Sequence, residues 1–268
     1  MIIDVLTAFI AVTAVGLILA VLLALAANFL HVQEDETVQK LREALPGVNC
    51  GACGYTGCDE YAKAMAGGGV KTNLCIPGAD ATADKLSEIL GVESEDVVEM
   101  YAYVHCNGDC EVTSKKAVYE GIDSCVAASM LYGGPDVCRF GCMGLGDCAK
   151  VCPVDAICIE DDIAHVDTRK CIGCGMCART CPKKIIDLVP QVANTVVFCN
   201  SNDKGAVARK ACKNACIACK KCEMNCPEGA IKVENNLARI DYSKCSGCGK
   251  CAEVCPTKCI KPVVPNVG

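Results

Sequence analysis

The hydrophobic and polar positions of the chain define one long apolar segment followed by shorter amphipathic ones. The segment from Val5 to Leu30 contains no charged residue. A helix of that length, at about 1.5 Å per residue, crosses roughly 30 Å of hydrocarbon, so the segment predicts one transmembrane helix. The alternative is a cleaved signal peptide, but the chain lacks a basic start and runs on into "NFLHVQEDE", which favours a retained anchor.

Two kinds of amphipathic pattern follow. The stretch "TADKLSEILGVESEDVVEMYAYV" has apolar residues at helical spacing and an acidic face, which predicts a solvated helical connector. Further along, "AICIED" and "AIKVEN" predict short strands at equivalent places in two related segments. Short helices are expected after each Cys-Pro. The chain is therefore predicted to be an α+β protein.

A repeat begins at about residue 131 and contains four motifs that end in Cys-Pro. "CMGLGDCAKVCP" is followed by "CIGCGMCARTCP", and "CIACKKCEMNCP" is followed by "CSGCGKCAEVCP". These motifs follow the bacterial ferredoxin spacing C-x2-C-x2-C-x3-C-P, in which three cysteines hold one cluster and the fourth holds its neighbour. The repeat predicts two tandem modules of the 2[4Fe-4S] ferredoxin type.

Composition supports metal binding over disulfides. The chain has 27 cysteines and no Trp, and the odd count, the C-x-x-C spacing and the length fit poorly with a small secreted disulfide scaffold. Thiolates that hold iron need a reducing compartment, which places the cysteine-bearing part in the cytoplasm. The flanks of the anchor carry too few basic residues to fix its orientation independently.

Charge is distributed unevenly. Acidic side chains outnumber basic ones in residues 31–130, and basic side chains are in excess in residues 131–268. A basic surface is one feature of nucleic-acid binding, but each cubane cluster with four thiolates carries roughly two negative charges, and several of them would offset this excess. We therefore expect no nucleic-acid partner.

The motif spacing predicts five [4Fe-4S] clusters. A single-cluster domain has the spacing C-x2-C-x4-C-x16-C, with ligands Cys50, Cys53, Cys58 and Cys75. In the first module, one complete set is Cys152, Cys171, Cys174 and Cys177. In the second module, the crossover gives Cys216, Cys219, Cys222 and Cys255 for one cluster, and Cys226, Cys245, Cys248 and Cys251 for the other.

The remaining cluster of the first module lacks one ligand. Cys142, Cys148 and Cys181 are in place, but Leu145 stands where the motif requires a cysteine. Cys138, four residues before Cys142, is the predicted replacement. The alternative is a three-iron or lost cluster, and the comparable position of Cys212 before the second module leaves a different role for Cys138 open.

Several cysteines remain after these assignments. "YVHCN" resembles "VVFCN", so Cys106 and Cys199 occupy equivalent places. A sixth cluster between the modules is predicted from Cys106, Cys110, Cys125 and either Cys199 or Cys212. The alternative is that several of these thiols are small buried hydrophobic residues.

Three further side chains are interpreted as structural. Cys158 and Cys259 lie where a small core residue belongs, and both are predicted to pack in the interior. His105 stands alone beside one cysteine, which provides no pair of histidines for a Rieske centre.

The anchor, the C-x2-C-G-x3-C-x16-C domain with its "NCGACGYTGC", and the ferredoxin motifs occur in an order that resembles the B subunit of the Rnf complex, a membrane ferredoxin:NAD oxidoreductase. The resemblance covers essentially the whole chain, and the second module and "CNGDC" resemble the longer form found in anaerobes. It implies five predicted segments: an anchor, a single-cluster domain, a helical connector and two ferredoxin-like modules, at residues 1–30, 31–85, 86–130, 131–190 and 191–268.

The resemblance also implies a function. The chain would accept electrons from soluble ferredoxin and relay them to other Rnf subunits, among them polytopic membrane subunits, flavin subunits and an NADH-binding subunit, while the complex exports Na⁺ or H⁺. It would be a single-pass protein of the cytoplasmic membrane, part of an oxidoreductase but without a bond-making site of its own. The alternatives are a membrane-tethered polyferredoxin that serves a hydrogenase or dehydrogenase, and an iron or redox sensor.

Overall fold

The computed structural model describes residues 2–29 and 35–263. The last residue of the predicted anchor, the first residues of the predicted single-cluster domain and the carboxy-terminal end lie outside these ranges. The first helix, α1, spans Ile2–Phe29. None of the helices in the described part of the chain meets the combination of length and apolar character needed to cross a membrane.

The next segment folds into three helices around a small core. The helices are α2 (Glu36–Ala44), α3 (Cys58–Ala66) and α4 (Ala79–Leu90), with short 3₁₀ turns at Thr72–Leu74 and Ile76–Gly78. Their apolar faces bury Leu41, Tyr61, Met65 and Leu86 almost completely. Cys58 and Cys75 belong to the same core, so these two predicted ligands are held by packing rather than lying on a free loop.

The described residues after α4 contain four two-stranded antiparallel sheets. Two are hairpins, formed by β2 (Ile157–Glu160) with β3 (Ile163–Val166) and by β6 (Ile231–Glu234) with β7 (Leu237–Ile240). Two join strands that are distant in sequence, β1 (Met100–Val104) with β4 (Ile186–Pro190) and β5 (Thr195–Val197) with β8 (Ile260–Pro262). The mixed helix–strand class and the strands predicted at "AICIED" and "AIKVEN" are confirmed.

Both hairpins close through the same kind of turn. Asp161 and Asp162 in the first, and Asn235 and Asn236 in the second, have left-handed backbone conformations. Two consecutive residues of positive φ define the type I′ turn, whose twist matches that of the flanking strands, and Asp and Asn tolerate this conformation better than other side chains. The repeat seen in the sequence therefore extends to the details of the backbone.

The prediction of a helical connector over residues 86–130 is wrong in its central part. Helix α4 ends at Leu90, no helix is present in residues 91–124, and "MYAYV" forms β1. Ala102 and Val104 are buried in the core, and Tyr103 between them is half-buried against the apolar cluster of Val189 and Val196. Tyr and Val suit a pleated, half-buried surface. Pairing with β4 makes this strand part of the first module. The other helix of the connector is the short α5 (Cys125–Met130).

The short helices of the modules precede each Cys-Pro, so the prediction that they follow it is wrong. Each begins one residue before the third cysteine of a motif and ends before the fourth: α6 (Asp147–Lys150), α7 (Met176–Thr180), α9 (Lys221–Met224) and α10 (Lys250–Glu253). The proline ring clashes with the preceding residue when that residue is helical, so each helix ends before its Cys-Pro. At Cys181 the backbone is extended. The remaining helix, α8, spans Gly205–Ala211.

Candidate metal centres

Cysteines line four cavities in the two modules. The empty volumes of these cavities are about 410, 370, 350 and 300 Å³. Among the described residues, no group of three or more His, Cys, Asp or Glu side chains has the arrangement of a site for a metal ion. The cysteines instead face a common space, as ligands of an iron–sulfur cluster with four thiolates do.

The second module contains two of these cavities. The cavity of about 350 Å³ is lined by Cys226, Cys245, Cys248 and Cys251. The cavity of about 300 Å³ is lined by Cys216, Cys219, Cys222 and Cys255, together with Cys259. The structure therefore brings together both sets that the sequence predicts for this module, each with three thiols from one motif and the fourth from the other. Burial, together with the nearby thiols of its set, raises the pKa of Cys222 to about 12.

The complete set of the first module is also brought together. Burial raises the pKa of Cys177 to about 11, with added contributions from Cys171, Cys174 and Cys152. The backbone N–H of Ala102 donates to Cys171 Sγ at 3.5 Å, and that of Ala156 donates to Cys152 Sγ at 3.3 Å. Hydrogen bonds of this kind orient ligands and influence the reduction potential of a bound cluster.

The four cysteines of the single-cluster domain lie near one another. Burial, together with the nearby thiols Cys58, Cys50 and Cys53, raises the pKa of Cys75 to about 11. Asn49 Oδ1 accepts a hydrogen bond of 2.9 Å from the backbone N–H of Cys58 at the start of α3. The side chain of Asn49 thus fixes the start of the helix that carries one predicted ligand.

This domain contacts the first module through its ligand loop. The guanidinium group of Arg179, on α7, donates a hydrogen bond to the backbone carbonyl of Cys50. Burial raises the pKa of Cys174, and Cys50 is the first of the neighbouring thiols that raise it further. Two predicted ligand sets are therefore adjacent across this contact.

The incomplete set of the first module gains its fourth thiol from α5. The cavity of about 370 Å³ is lined by Cys142, Cys148, Cys181 and Cys125. Leu145 packs in an apolar cluster with Cys125, so the cysteine from α5 lies beside the leucine that occupies the motif position of the absent cysteine. Burial, together with the nearby thiols Cys142, Cys125 and Cys181, raises the pKa of Cys148 to about 12.

Polar contacts hold α5 in this position. Ser124 caps the helix by accepting a hydrogen bond from the backbone N–H of Ala127. Asp147 Oδ2, which is buried, accepts hydrogen bonds from Ser124 Oγ at 2.8 Å and from the backbone N–H of Val126 at 3.0 Å. Ser124 and Val126 flank Cys125, and Asp147 directly precedes Cys148. The Asp147 carboxylate therefore connects the segment that carries Cys125 to the segment that carries Cys148.

Cys138 lines the neighbouring cavity instead. That cavity, of about 410 Å³, lies between the modules and is lined by the cysteines Cys106, Cys138, Cys142, Cys199 and Cys212. We call it the central cavity. Cys110 is exposed and lines none of the four cavities. The structure therefore does not place Cys110 or Cys125 with Cys106, as the sequence-based sixth cluster requires.

The three side chains interpreted as structural have different outcomes. Cys259 is 1 % exposed and belongs to the core of the second module, as predicted. Cys158 is exposed on β2, so its predicted packing role is wrong; it lies at the position equivalent to Lys232 of β6, on the solvent face of its hairpin. His105 is buried, and its Nδ1 lies 2.6 Å from the Val197 carbonyl oxygen.

Two tandem modules with crossed cysteine sets, preceded by a further four-cysteine domain, define an iron–sulfur protein of the ferredoxin class. Family models agree with this assignment. The 4Fe-4S binding domain matches residues 164–187 and 238–261, and a model described as an Fe-S cluster domain matches residues 45–77.

Similar proteins of known family identify the family of this chain. The chain is 45 % identical to the B subunit of the Na⁺-translocating ferredoxin:NAD⁺ oxidoreductase complex of Acetobacterium woodii, over 91 % of this chain and 74 % of that protein. It is 40 % identical to the B subunit of the proton-translocating complex of Clostridium ljungdahlii, over 94 % and 90 %. It is 35 % identical to the B subunit of the ion-translocating oxidoreductase complex of Methanosarcina acetivorans, over 92 % and 94 %. The chain belongs to this family, the B subunits of Rnf complexes.

Proposed function

We propose that this chain is the iron–sulfur subunit through which a membrane-bound Rnf complex takes electrons from soluble ferredoxin and passes them to flavin-bearing partner subunits. In the overall reaction, two one-electron donations from reduced ferredoxin and one proton convert NAD⁺ to NADH, and the complex exports Na⁺ or H⁺. The observation that carries the proposal is the grouping of cysteines into four-thiol sets in a chain of this family. The alternative, a tethered polyferredoxin, has no comparable support.

Five [4Fe-4S] clusters are proposed. Four of the ligand sets are those expected from the motifs, and in the fifth Cys125 joins Cys142, Cys148 and Cys181 in the place that the sequence assigned to Cys138. When bound, such clusters accept and donate single electrons. The protein holds them with thiolates and surrounds them with apolar side chains such as Ile159 and Ile186, which limit the access of water.

Three observations indicate that these residues fit four-iron clusters. The thiols of three of the four module sets surround a cavity rather than a point. Backbone N–H groups are directed at several sulfur atoms, as they are for thiolates that carry charge. Ligand cysteines form a large part of each module core, alongside small residues such as Ala164 and Ala238. Metal binding is therefore expected to contribute to folding.

We also propose that residues 1–30 anchor the chain as a single-pass protein in the cytoplasmic membrane. This part of the proposal rests on the uncharged sequence from Val5 to Leu30 and on the family, whose named members belong to ion-translocating complexes. Deletion of residues 1–30 should release a soluble brown protein with its iron content unchanged, because no cysteine lies in that segment. Loss of iron after the deletion would contradict the proposal.

The decisive experiment is anaerobic purification of the native complex through a tag on this chain. An Rnf subunit should bring polytopic membrane subunits, flavin and an activity that reduces NAD⁺ with reduced ferredoxin. A tethered polyferredoxin should bring no flavin and no such activity. Isolation of the tagged chain alone, with full iron content, from membranes that retain ferredoxin-dependent NAD⁺ reduction would reject the proposed function.

A further inference from the structure

The central cavity brings together thiols that none of the five clusters uses. We propose that Cys106, Cys138, Cys199 and Cys212 bind a sixth [4Fe-4S] cluster between the two modules. The proposal rests on the proposed function only in that the chain must acquire iron–sulfur clusters. It differs from the sixth cluster predicted from the sequence by excluding Cys110 and Cys125 and by including Cys138.

The ligands come in two equivalent pairs, one from each module. Cys106 in "VHCN" corresponds to Cys199 in "VFCN", each two residues after the first strand of its module. Cys138 in "CRFGC" corresponds to Cys212 in "CKNAC", each four residues before the first motif cysteine. Each module thus contributes the same half of a ligand set to the surface where the modules meet.

The hydrogen bonds repeat this equivalence. The backbone N–H of Cys142 donates to Cys106 Sγ at 3.4 Å, and the backbone N–H of the corresponding Cys216 donates to Cys199 Sγ at 3.3 Å. The backbone N–H of Ser201 also donates to Cys199 Sγ, at 3.5 Å. Donors directed at two sulfur atoms in the same way in both halves are the environment of a thiolate ligand.

The space is comparable in size with that of the other cysteine-lined cavities. At about 410 Å³ the central cavity is at least as large as the three that are lined by predicted ligand sets. A side chain at Gly108 would intrude, since a Cβ there would lie 3.3 Å from Cys212 Sγ and 3.7 Å from Cys106 Sγ. Glycine at this position keeps two thiols from different modules open to the same space.

The position of the site gives it a role. Cys142 lines both the central cavity and the cavity that contains Cys125, so the two sets are in contact on the side of the first module. On the other side, the hydrogen bond from the backbone N–H of Cys216 to Cys199 Sγ joins the central set to a ligand set of the second module. Arg179 in turn links the single-cluster domain to the first module, so the central set lies between the sets of the two modules.

The test is the metal content of the anaerobically purified full-length chain. A sixth cluster predicts about 24 irons per chain and an equal amount of acid-labile sulfide, against about 20 for five clusters, with four irons per cubane. The double substitution Cys199→Ala/Cys212→Ala should remove about four irons and the electron paramagnetic resonance signal of one centre. The matched control is Cys110→Ala/Cys158→Ala, because both of these thiols are exposed, and it should keep the full iron content.

A second variant retains every thiol. Gly108→Leu should exclude the same centre by filling the central cavity, while the signals of the other five report that the chain is folded. About 20 irons in the wild type, with no change in either variant, would overturn the sixth cluster and leave the five-cluster proposal intact. One zinc ion per chain that is lost in the double variant would also overturn it. A wild type far below 20 irons would instead contradict the five sets on which the proposed function rests.

Discussion

His105 connects the two ferredoxin modules through the carbonyl oxygen of Val197, which lies 2.6 Å from its Nδ1. The imidazole follows β1 of the first module, and Val197 ends β5 of the second. Its Nε2 lies 3.3 Å from Asp187 Oδ2 on β4, and the hydrogen bond from His105 holds the pKa of Asp187 below its usual range. The buried His105 side chain therefore connects the ends of the first strands of the two modules.

Substitution of His105 should loosen this interface. His105→Ala leaves the Val197 carbonyl without its side-chain donor, and an unsatisfied buried group costs about 1–3 kcal/mol. The expected result is a lower midpoint of unfolding in urea, measured anaerobically by circular dichroism. His165→Ala is the control, since His165 is exposed on β3 and should leave the midpoint unchanged. Equal midpoints for the two variants would show that His105 does not support the interface.

The two candidate ligands for the Leu145 position can be separated genetically. Cys125→Ala should convert one four-iron centre of the first module into a three-iron form, visible by electron paramagnetic resonance, because the other three thiols of that cavity remain. Leu145→Cys in the same background should restore the four-iron signal, since the motif spacing is then complete.

The Cys138→Ala variant, combined with Cys125→Ala, tests whether Cys125 and Cys138 bind the same cluster or two different ones. If Cys125 and Cys138 belong to different cavities, the double variant should lose the signals of both single variants. If they serve the same cluster, the double variant should lose no more than either single variant does, and the assignment of Cys125 would have to be withdrawn.

The contacts of Asp147 should control how firmly the Cys125 site retains iron. Asp147→Ala removes the acceptor for Ser124 Oγ and for the backbone N–H of Val126, and loss of interactions at a helix start costs about 1 kcal/mol. Transfer of iron to a ferrous chelator should therefore accelerate. Asp147→Asn retains one side-chain oxygen and should have a smaller effect. The exposed Asp161→Asn substitution should have none, and acceleration there to the same degree would indicate a general loss of stability.

Removal of the Arg179 side chain should separate the single-cluster domain from the first module. Arg179→Ala deletes the hydrogen bond to the Cys50 carbonyl, and limited proteolysis of the anaerobic protein should then cleave faster in residues 91–99. Iron content should not change, since no ligand is altered. The control is Arg169→Ala, whose side chain pairs with the nearby Asp167. Cleavage at the wild-type rate in Arg179→Ala would mean that the domains are held together by other contacts.

The sequence allowed the repeat, the hairpin strands and the crossed cysteine sets to be predicted, because motif spacing is local and strand alternation has a short period. It did not reveal Cys125 as a partner of Cys142, since a contact between a helix of the connector and a motif far along the chain leaves no spacing signal. The serine cap at Ser124 was the available hint, as it places Cys125 at a helix start.

Errors elsewhere have similar causes. "MYAYV" continues a helical spacing, but its pairing with β4 decides the conformation, and pairing partners are invisible in a single segment. Cys158 and Cys259 have comparable apolar neighbours in sequence but opposite burial, because Cys158 lies on the solvent face of β2 and Cys259 lies in the core, directly before β8. Comparison of the repeats resolves this, since Cys259 corresponds to the buried Ile185 and Cys158 to the exposed Lys232.

The paired origin of the central ligands makes the two modules a covalently joined pseudo-dimer. An isologous interface presents the same patch on both partners, and here the patch consists of Cys106 and Cys138 in one half and Cys199 and Cys212 in the other. A single ancestral module with this patch would have been able to assemble with its own copy around a shared cofactor. Because both halves lie in one chain, each can differ from the other without losing its partner, and Leu145 in place of a motif cysteine in the first half alone is such a difference.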